Sequence, residues 1–87
     1  MVKITKCNPR LLFHFKYAGY VINIYPRRIT EKAVEFLLFD SKNNITKKCI
    51  WIPKIGIKRE GKELLDVNWL FDNYENREKL EEIGYWL

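Results

Sequence analysis

Hydrophobic and polar side chains alternate along two neighbouring stretches in the first third of the chain. Residues 11–17 (LLFHFKY) and residues 20–25 (YVINIY) both show this pattern, and Ala18-Gly19 lies between them. A period of two predicts β-strands, so the two stretches predict a hairpin, which Pro26 ends. A shorter β-type run at residues 2–7 precedes it.

The next two apolar stretches predict a second hairpin. Residues 30–40 (TEKAVEFLLFD) suit either a helix capped by Thr30 or a strand, whereas residues 45–52 (ITKKCIWI) are a β-type run. The polar sequence SKNN between them is a strong turn signal, and two runs about a turn favour the strand. Residues 26–30 (PRRIT) are then a basic connection between the hairpins.

A third, shorter hairpin is predicted at residues 55–65 (IGIKREGKELL), with Glu60-Gly61 at its tip. Gly61 can adopt the positive φ that tight hairpin turns require. Pro53, just before it, cannot donate a ladder hydrogen bond and therefore marks a strand end, a bulge or a sheet edge.

The remaining residues change to a helical pattern. Asp66 is a suitable N-cap, and a helical stripe begins with Val67 and recurs at intervals of three and four residues as far as Tyr74. Asn76 marks a second cap or a kink, and Gly84 suits the C-cap. The apolar residues 85–87 are expected to pack back on the sheet.

These elements predict a single β-rich α+β domain spanning residues 1–87. We expect about five antiparallel strands, arranged as a curled sheet or small barrel, with one C-terminal helix. Residues 1–65 form a basic β-rich body and residues 66–87 an acidic helical segment. The apolar fraction of 47% and thirteen aromatic residues can supply one dense core.

Composition narrows the class of protein further. No run of apolar residues is long enough to cross a bilayer, and the first ten residues do not resemble a signal peptide, so a cytoplasmic location is expected. Cys7 and Cys49 are expected to be reduced thiols in strands. With the single His14 they form no recognisable zinc-binding motif, so neither a metal nor a cofactor is predicted.

The distribution of charge is uneven. Residues 1–62 carry a formal charge of +10 and residues 63–87 a charge of −5, although the whole chain has only +5. Such asymmetry suggests a polyanionic partner for the basic body. The alternative is that the two parts attract each other within the fold.

Catalysis is not predicted. His14 has no acid or nucleophile placed near it in sequence, and the four glycines are isolated, so no phosphate-binding loop is present. The glutamates of the terminal segment suit a solvated helix face. The protein is therefore expected to be a binding protein rather than an enzyme.

Cations and aromatic rings lie close together along the predicted strands and turns. Cations neutralise phosphates, and flat rings stack on unpaired bases. The candidate residues for contact with nucleic acid or a protein partner are Arg27, Arg28, Lys47, Lys48, Lys54, Lys58, Arg59, Lys62, Tyr17, Tyr20 and Tyr25.

The segment from Cys49 to Lys62 combines both kinds of signal. Ile50 and Ile52 alternate with Cys49 and Trp51, so we expect this strand to be covered on both faces and Trp51 to be a core residue. The cations begin after Pro53, and residues 54–62 are expected to project as a charged hairpin. That hairpin is the best candidate contact element, and Arg27 with Arg28 is the second.

The motif W-I-P-K (51–54), followed by W-L (69–70), resembles a pattern in small phage and mobile-element proteins. In those proteins W-(I/L)-P-K-S closes a β-hairpin and W-L opens a short terminal helix. The resemblance covers residues 34–87, with Ile55 in place of the serine. It implies a phage-encoded protein of the host cytoplasm, in a class that includes inhibitors of host defence such as anti-CRISPR proteins.

Three functional hypotheses are consistent with these observations. The first is a non-catalytic protein whose basic β-body contacts nucleic acid or a nucleoprotein complex. The second is a phage or mobile-element inhibitor that occludes a host defence enzyme, through the acidic helix or the 54–62 hairpin. The third is a small homodimeric protein that pairs through a strand edge around Pro53. None involves a membrane.

Overall fold

The computed structural model describes residues 11–87, which form a six-stranded sheet and one α-helix. The elements in chain order are β1 (Phe13–Tyr17), β2 (Tyr20–Ile29), β3 (Ala33–Phe39), β4 (Ile45–Pro53), β5 (Lys58–Glu60), β6 (Glu63–Leu65) and α1 (Tyr74–Glu82). Short 3-10 turns occupy Lys54–Gly56 and Asn68–Asp72. The predicted α+β class is confirmed, with one strand more than expected; the strand predicted at residues 2–7 lies outside the described residues.

The sheet has the order β4-β3-β2-β1-β6-β5. All neighbouring strands are antiparallel except β1 and β6, which run parallel. The predicted hairpins at 11–25 and 30–52 are present, and residues 33–39 are a strand rather than a helix. The predicted antiparallel sheet is therefore a mixed one.

The sheet curls because its two edge strands are joined by a short connection. Four residues, 54–57, link β4 to β5. They can span about 17 Å, whereas the edges of a flat six-stranded sheet would lie about 24 Å apart. Ile52 of β4 and Leu64 of β6 accordingly line the same small cavity. The sheet is curled as predicted but does not close into a barrel.

The core lies on the concave face of the sheet, here called the inner face. The inward residues of the strands include Phe15, Ile22, Phe36 and Ile50, all almost fully buried. They are covered by apolar side chains that follow β6, among them Val67, Leu70, Phe71, Leu80 and Tyr85. Burial of these alternating side chains is what holds the curled sheet and the helix together.

Pro26 does not end β2, contrary to the sequence prediction, and residues 26–29 belong to the strand rather than to a connection. β1 pairs with β2 only as far as Ile24, so Pro26 has a strand neighbour on one side only. The register with β3 shifts between Pro26 and Arg28, which is a β-bulge. A proline is tolerated at such a position because it needs no second hydrogen-bonding partner.

The tail is less helical than its pattern predicts. Asp66 has a φ of 53° and caps no helix. The helix begins at Tyr74, with the side chain of Asn73 accepting a hydrogen bond from the backbone N–H of Glu75 at 2.9 Å. Val67, Leu70 and Phe71 still face the core, because a 3-10 turn at Asn68–Asp72 also brings side chains to one side every three residues. Tyr74, the last residue of the predicted stripe, is 70% exposed instead.

Candidate nucleic-acid interface

Two aromatic rings are partly exposed on the face of the sheet opposite the helix. We call this the outer face and define it by Tyr25, Glu35, Leu37, Cys49 and Trp51. In register, Tyr25 lies beside Leu37 and Trp51 beside Glu35. From the usual strand spacing and rise, the Cα atoms of Tyr25 and Trp51 lie about 12 Å apart, across β3.

Trp51 is not a core residue, contrary to the sequence prediction, since 42% of its surface is exposed. It lies in β4, an edge strand, and among residues 11–87 the helix packs on the inner face alone. The strand buried on both faces is instead β3, where Val34 and Leu38 face inward while Glu35 and Leu37 face outward. Its nearly continuous apolar sequence, AVEFLLF, is typical of such a strand.

Two exposed arginines lie beside these rings. Arg28 is the cross-strand neighbour of Glu35, and Arg27 lies in the adjoining bulge. Lys47 is also exposed, four residues before Trp51 in β4, where the register with β3 shifts. A polyanion lying along this face would meet both arginines and both rings, with Lys47 further along β4.

Glu35 is a buried carboxylate at the centre of this group, with only 7% of the residue exposed. The thiol of Cys49 donates to one carboxylate oxygen, Oε2, with a sulfur–oxygen distance of 3.4 Å. The other oxygen, Oε1, accepts no hydrogen bond from residues 11–87. The Nε atom of Arg27 lies 3.9 Å from it, close enough for an ion pair but too far for a hydrogen bond.

The thiol of Cys49 stays protonated in this setting. Its partial burial raises its pKa, and the hydrogen bond to Glu35 raises the pKa further. A protonated thiol is a donor and a weak nucleophile. Cys49 therefore supports the position of Glu35 and is poorly suited to covalent chemistry.

A second group of cations lies around Phe13 at the start of β1. The ammonium of Lys62 is 4.5 Å from the centre of its ring, and the guanidinium carbon of Arg59 is 5.8 Å from it. Arg59 also donates to the carbonyl oxygen of Gly61 at 2.9 Å. One ring and one backbone bond thus orient two cations of the β5–β6 hairpin.

This hairpin differs in extent from the predicted one. It begins at Lys58 rather than at residue 55, because residues 54–56 form a 3-10 turn. Gly61 is at the turn with a φ of 61°, as expected. Lys54 lies outside the hairpin, and its backbone N–H donates to the carbonyl oxygen of Lys32 at 2.8 Å. The exposed side chains of these two lysines therefore lie at one end of the sheet.

Two of the three predicted stacking tyrosines are engaged with the core instead. The ring centre of Tyr17 is 4.3 Å from that of Phe71, and Tyr20 packs edge-on against Tyr85. The hydroxyl of Tyr20 also accepts a hydrogen bond from the backbone N–H of Trp86. Alternation places both tyrosines on the inner face, where they are half-buried against the core and do not share a surface with Tyr25.

Two of the predicted lysines are paired with carboxylates of the acidic segment. Lys48 lies 2.6 Å from Glu82, and Lys58 lies 3.6 Å from Asp66. The hydrogen bond to Glu82 raises the pKa of Lys48. The attraction between the basic body and the acidic tail is therefore realised at these two lysines, and the other predicted cations have no such contact with residues 66–87.

Sequence reasoning missed Trp51, Glu35 and Phe13 as members of these two groups. The alternation of Trp51 with Ile50 and Ile52 would have predicted its exposure if β4 had been recognised as an edge strand. For Glu35 the only signal was a single acid within the apolar run of β3. Phe13 becomes a neighbour of Arg59 and Lys62 only through the pairing of β1 with β6.

The described part of the chain was also compared with the features of metal sites and membrane-spanning helices. Within residues 11–87 no three His, Cys, Asp or Glu side chains come together as metal ligands. None of the helices in that range combines the length and apolar character needed to cross a bilayer. His14 lies in β1 and is half-buried.

No family model, curated protein or solved structure matches this chain. Its function therefore has to be inferred from the two groups of residues described above.

Proposed function

We propose that this protein binds single-stranded nucleic acid through the outer face of its sheet. The observation that carries the proposal is the exposed ring of Trp51 on the same face as Tyr25 and Arg28, with the exposed Lys47 in the same strand. Rings stack on unpaired bases and cations neutralise the neighbouring phosphates, which is the usual combination at single-strand sites.

A single strand suits this surface better than a duplex. Stacking on Trp51 and Tyr25 requires bases whose faces are free, whereas the bases of a duplex are already stacked on each other. The helix α1 is a poor element for entering a groove, because Glu75, Glu78 and Glu81 are exposed on it and would be repelled by phosphates.

The cations around Phe13 form a separate candidate contact for phosphate. Because both lie over one ring, the charged groups of Arg59 and Lys62 are held close together. Side chains that are already oriented lose less conformational entropy when they bind a phosphate. Phe13 packs against Phe36 of the inner face, so this group lies apart from the outer face that carries Trp51.

Binding can be measured by fluorescence anisotropy with a labelled single-stranded oligonucleotide of mixed sequence. We expect affinity to fall steeply with salt. The double variant Arg28→Gln/Lys47→Gln should bind more weakly and flatten the logarithmic salt slope by about 1.4, since each phosphate contact on a single strand contributes about 0.7. Trp51→Leu should weaken binding with the slope unchanged.

The matched control is Lys42→Gln/Arg77→Gln, which removes the same charge from the 41–44 turn and from α1. It should leave affinity nearly unchanged. The proposal fails if the wild-type protein shows no binding at low salt. It also fails if both double variants lose affinity equally, since that would reflect net charge rather than this face.

A second candidate function, occlusion of a protein partner, is favoured by a different surface. Ile55 is 97% exposed in the 3-10 turn after β4, and Trp69, 43% exposed, lies against Gly56 in the same turn. Exposed tryptophan side chains are typical anchors of protein interfaces. This surface would serve an inhibitor of a host defence enzyme, the function implied by the W-I-P-K resemblance.

Photo-crosslinking from position 55 in a host extract, after nuclease treatment, distinguishes this candidate. One stoichiometric protein adduct that is lost when Trp69→Ala is added to the same chain would support it. Adducts that vanish with nuclease would favour the nucleic-acid function instead.

The homodimer hypothesis is disfavoured by the edge of β4. The ammonium of Lys79 donates to the carbonyl oxygen of Cys49 at 2.9 Å, and Pro53 ends the strand. A capped carbonyl and a proline both hinder strand addition. Light scattering at two concentrations would show whether dimers form by another surface.

A further inference from the structure

We infer that Glu35 selects the base bound on the outer face, by accepting a hydrogen bond from the exocyclic amino group of cytosine. This inference rests on the proposed single-strand function and adds a base preference to it. It is carried by the one buried carboxylate oxygen on this face, Oε1 of Glu35, which has no hydrogen-bond donor among residues 11–87.

A buried carboxylate oxygen without a donor is costly for a folded protein. Such groups normally have hydrogen-bond partners, and an exception requires an explanation. The other oxygen of Glu35 already accepts from the thiol of Cys49. The arrangement therefore leaves one acceptor directed away from Cys49, and a ligand that brings a donor there would satisfy it.

The neighbours of this oxygen favour a base with an amino donor beside ring acceptors, an order that cytosine has with two acceptors and adenine with one. Arg27, 3.9 Å away, offers N–H donors beside the carboxylate acceptor. The Watson–Crick edge of cytosine has the complementary order, with an amino donor followed by the acceptors N3 and O2. Glutamate is a common acceptor for the amino group of cytosine. Uracil has a carbonyl oxygen in place of that amino group, which the carboxylate would repel.

Trp51 is placed to stack such a base. It is the direct cross-strand neighbour of Glu35. Side chains paired in this way have Cβ atoms about 5 Å apart on the same face of a sheet. A base lying on the exposed indole ring thus has its edge near the carboxylate, and the backbone is then near Arg28.

Arg27 is the ion-pair partner of this oxygen. Its side chain is 44% exposed and makes no hydrogen bond to Glu35, so little is lost when its guanidinium shifts towards a base. The acceptors N3 and O2 of cytosine would then give the guanidinium new partners beside the carboxylate.

The experiment compares the binding of oligo-dC and oligo-dU of equal length at pH 7.5. At this pH the two oligonucleotides carry the same charge and differ only in the Watson–Crick edges of their bases. The wild-type protein is expected to bind oligo-dC at least about fivefold more tightly, in keeping with the discrimination of a single well-formed base contact. Glu35→Gln should reduce this ratio to within about twofold, because a neutral amide can donate as well as accept.

The control variant is Glu31→Gln, which removes the same charge from an exposed position and should leave the ratio unchanged. Equal binding of oligo-dC and oligo-dU by the wild-type protein would overturn the inference while leaving the proposed function intact. Absence of binding to both would overturn the two together. The wild-type ratio needs no variant, so the test stands even if Glu35→Gln does not fold.

Discussion

The ammonium nitrogen of Lys48 lies 2.6 Å from a carboxylate oxygen of Glu82. Lys48 belongs to the edge strand β4 and Glu82 to the last turn of α1. One helical turn earlier, Lys79 donates to the backbone carbonyl of Cys49 in the same strand. The acidic segment is therefore attached to the edge of the basic body by two contacts. In one the strand supplies the cation, and in the other the helix does.

The Lys48–Glu82 pair is expected to contribute little to stability. Both side chains are nearly half exposed, and exposed ion pairs are weak and screened by salt. Lys48→Gln should lower the thermal midpoint by only a few degrees at low salt and by less in 1 M salt. Because the pKa of Lys48 is raised, the contribution is present below the ordinary lysine pKa of 10.5 and is lost above it.

Differential scanning calorimetry at two salt concentrations tests this, with Lys47→Gln as the neighbouring control. A large loss of stability that persists in high salt would show that the pair matters more than its exposure suggests.

Gly84 is expected to be essential for closing the helix onto the β3–β4 turn. Its φ is 103°, and a Cβ atom there would overlap the hydroxyl oxygen of Ser41. Gly84→Ala combines backbone strain with a steric clash and should destabilise the protein by about 2–4 kcal/mol. Urea denaturation measures this directly.

Gly19→Ala serves as the comparison, since Gly19 also has a positive φ but has nothing within 4 Å of its added Cβ. It should cost only about 1 kcal/mol. Equal losses for the two variants would contradict the role assigned to Ser41.

The β1–β2 turn should be open to stabilisation at Ala18. Ala18 and Gly19 have φ values of 52° and 83°, which matches the two-residue turns that favour Asn-Gly. Ala18→Asn should raise the free energy of unfolding by about 0.5–1 kcal/mol, because asparagine tolerates the left-handed region better than alanine. Ala18→Val should have the opposite effect, and a stabilising valine would rule out this explanation.

Stability should fall at high pH because of Tyr85. Burial, with the nearby Asp40 adding to it, raises the pKa of its hydroxyl to about 12 from an ordinary 10.0. The hydroxyl lies 2.7 Å from the carbonyl oxygen of Phe39. The folded state holds this proton more tightly than the unfolded state does, so the contribution is full below pH 10 and is lost between pH 10 and pH 12.

The free energy of unfolding, measured with urea, should therefore be lower at pH 11 than at pH 9 by about 1 kcal/mol from this group. Tyr85→Phe should lose most of this dependence, whereas Tyr74→Phe, at a site 70% exposed, should keep it. Identical pH dependence in the wild type and Tyr85→Phe would contradict the assignment.

Much of the fold could be predicted because its signals are local. Alternation in residues 11–25 and 45–52 predicts strands, and the turns at Ala18-Gly19 and 41–44 predict their pairing. The tail shows the limit of this reasoning. Asp66 has the composition of an N-cap but a φ of 53°, since the chain must turn there to lead back across the core.

The candidate site was predicted only in part. The roles of Arg27, Arg28 and Lys47 remain predictions, although the structure brings the two arginines to one face with Trp51. Tyr17 and Tyr20 have the same composition signal as Tyr25 but lie on the opposite face of the sheet. Sequence can predict that a strand alternates, whereas which of its faces is covered depends on what packs against it.

By itself, the sequence of this protein determined a β-rich α+β domain with a basic body, an acidic tail and hairpins at defined turns. Periodicity, turn residues and charge are properties of neighbouring residues, so no other part of the chain is needed to recognise them. Only the tertiary structure decided that β6 lies parallel to β1, that Trp51 is exposed, and that Glu35 is buried between Arg27 and Cys49. Those features depend on contacts between residues that are distant in sequence, and such contacts form only when the sheet curls and the tail packs against it.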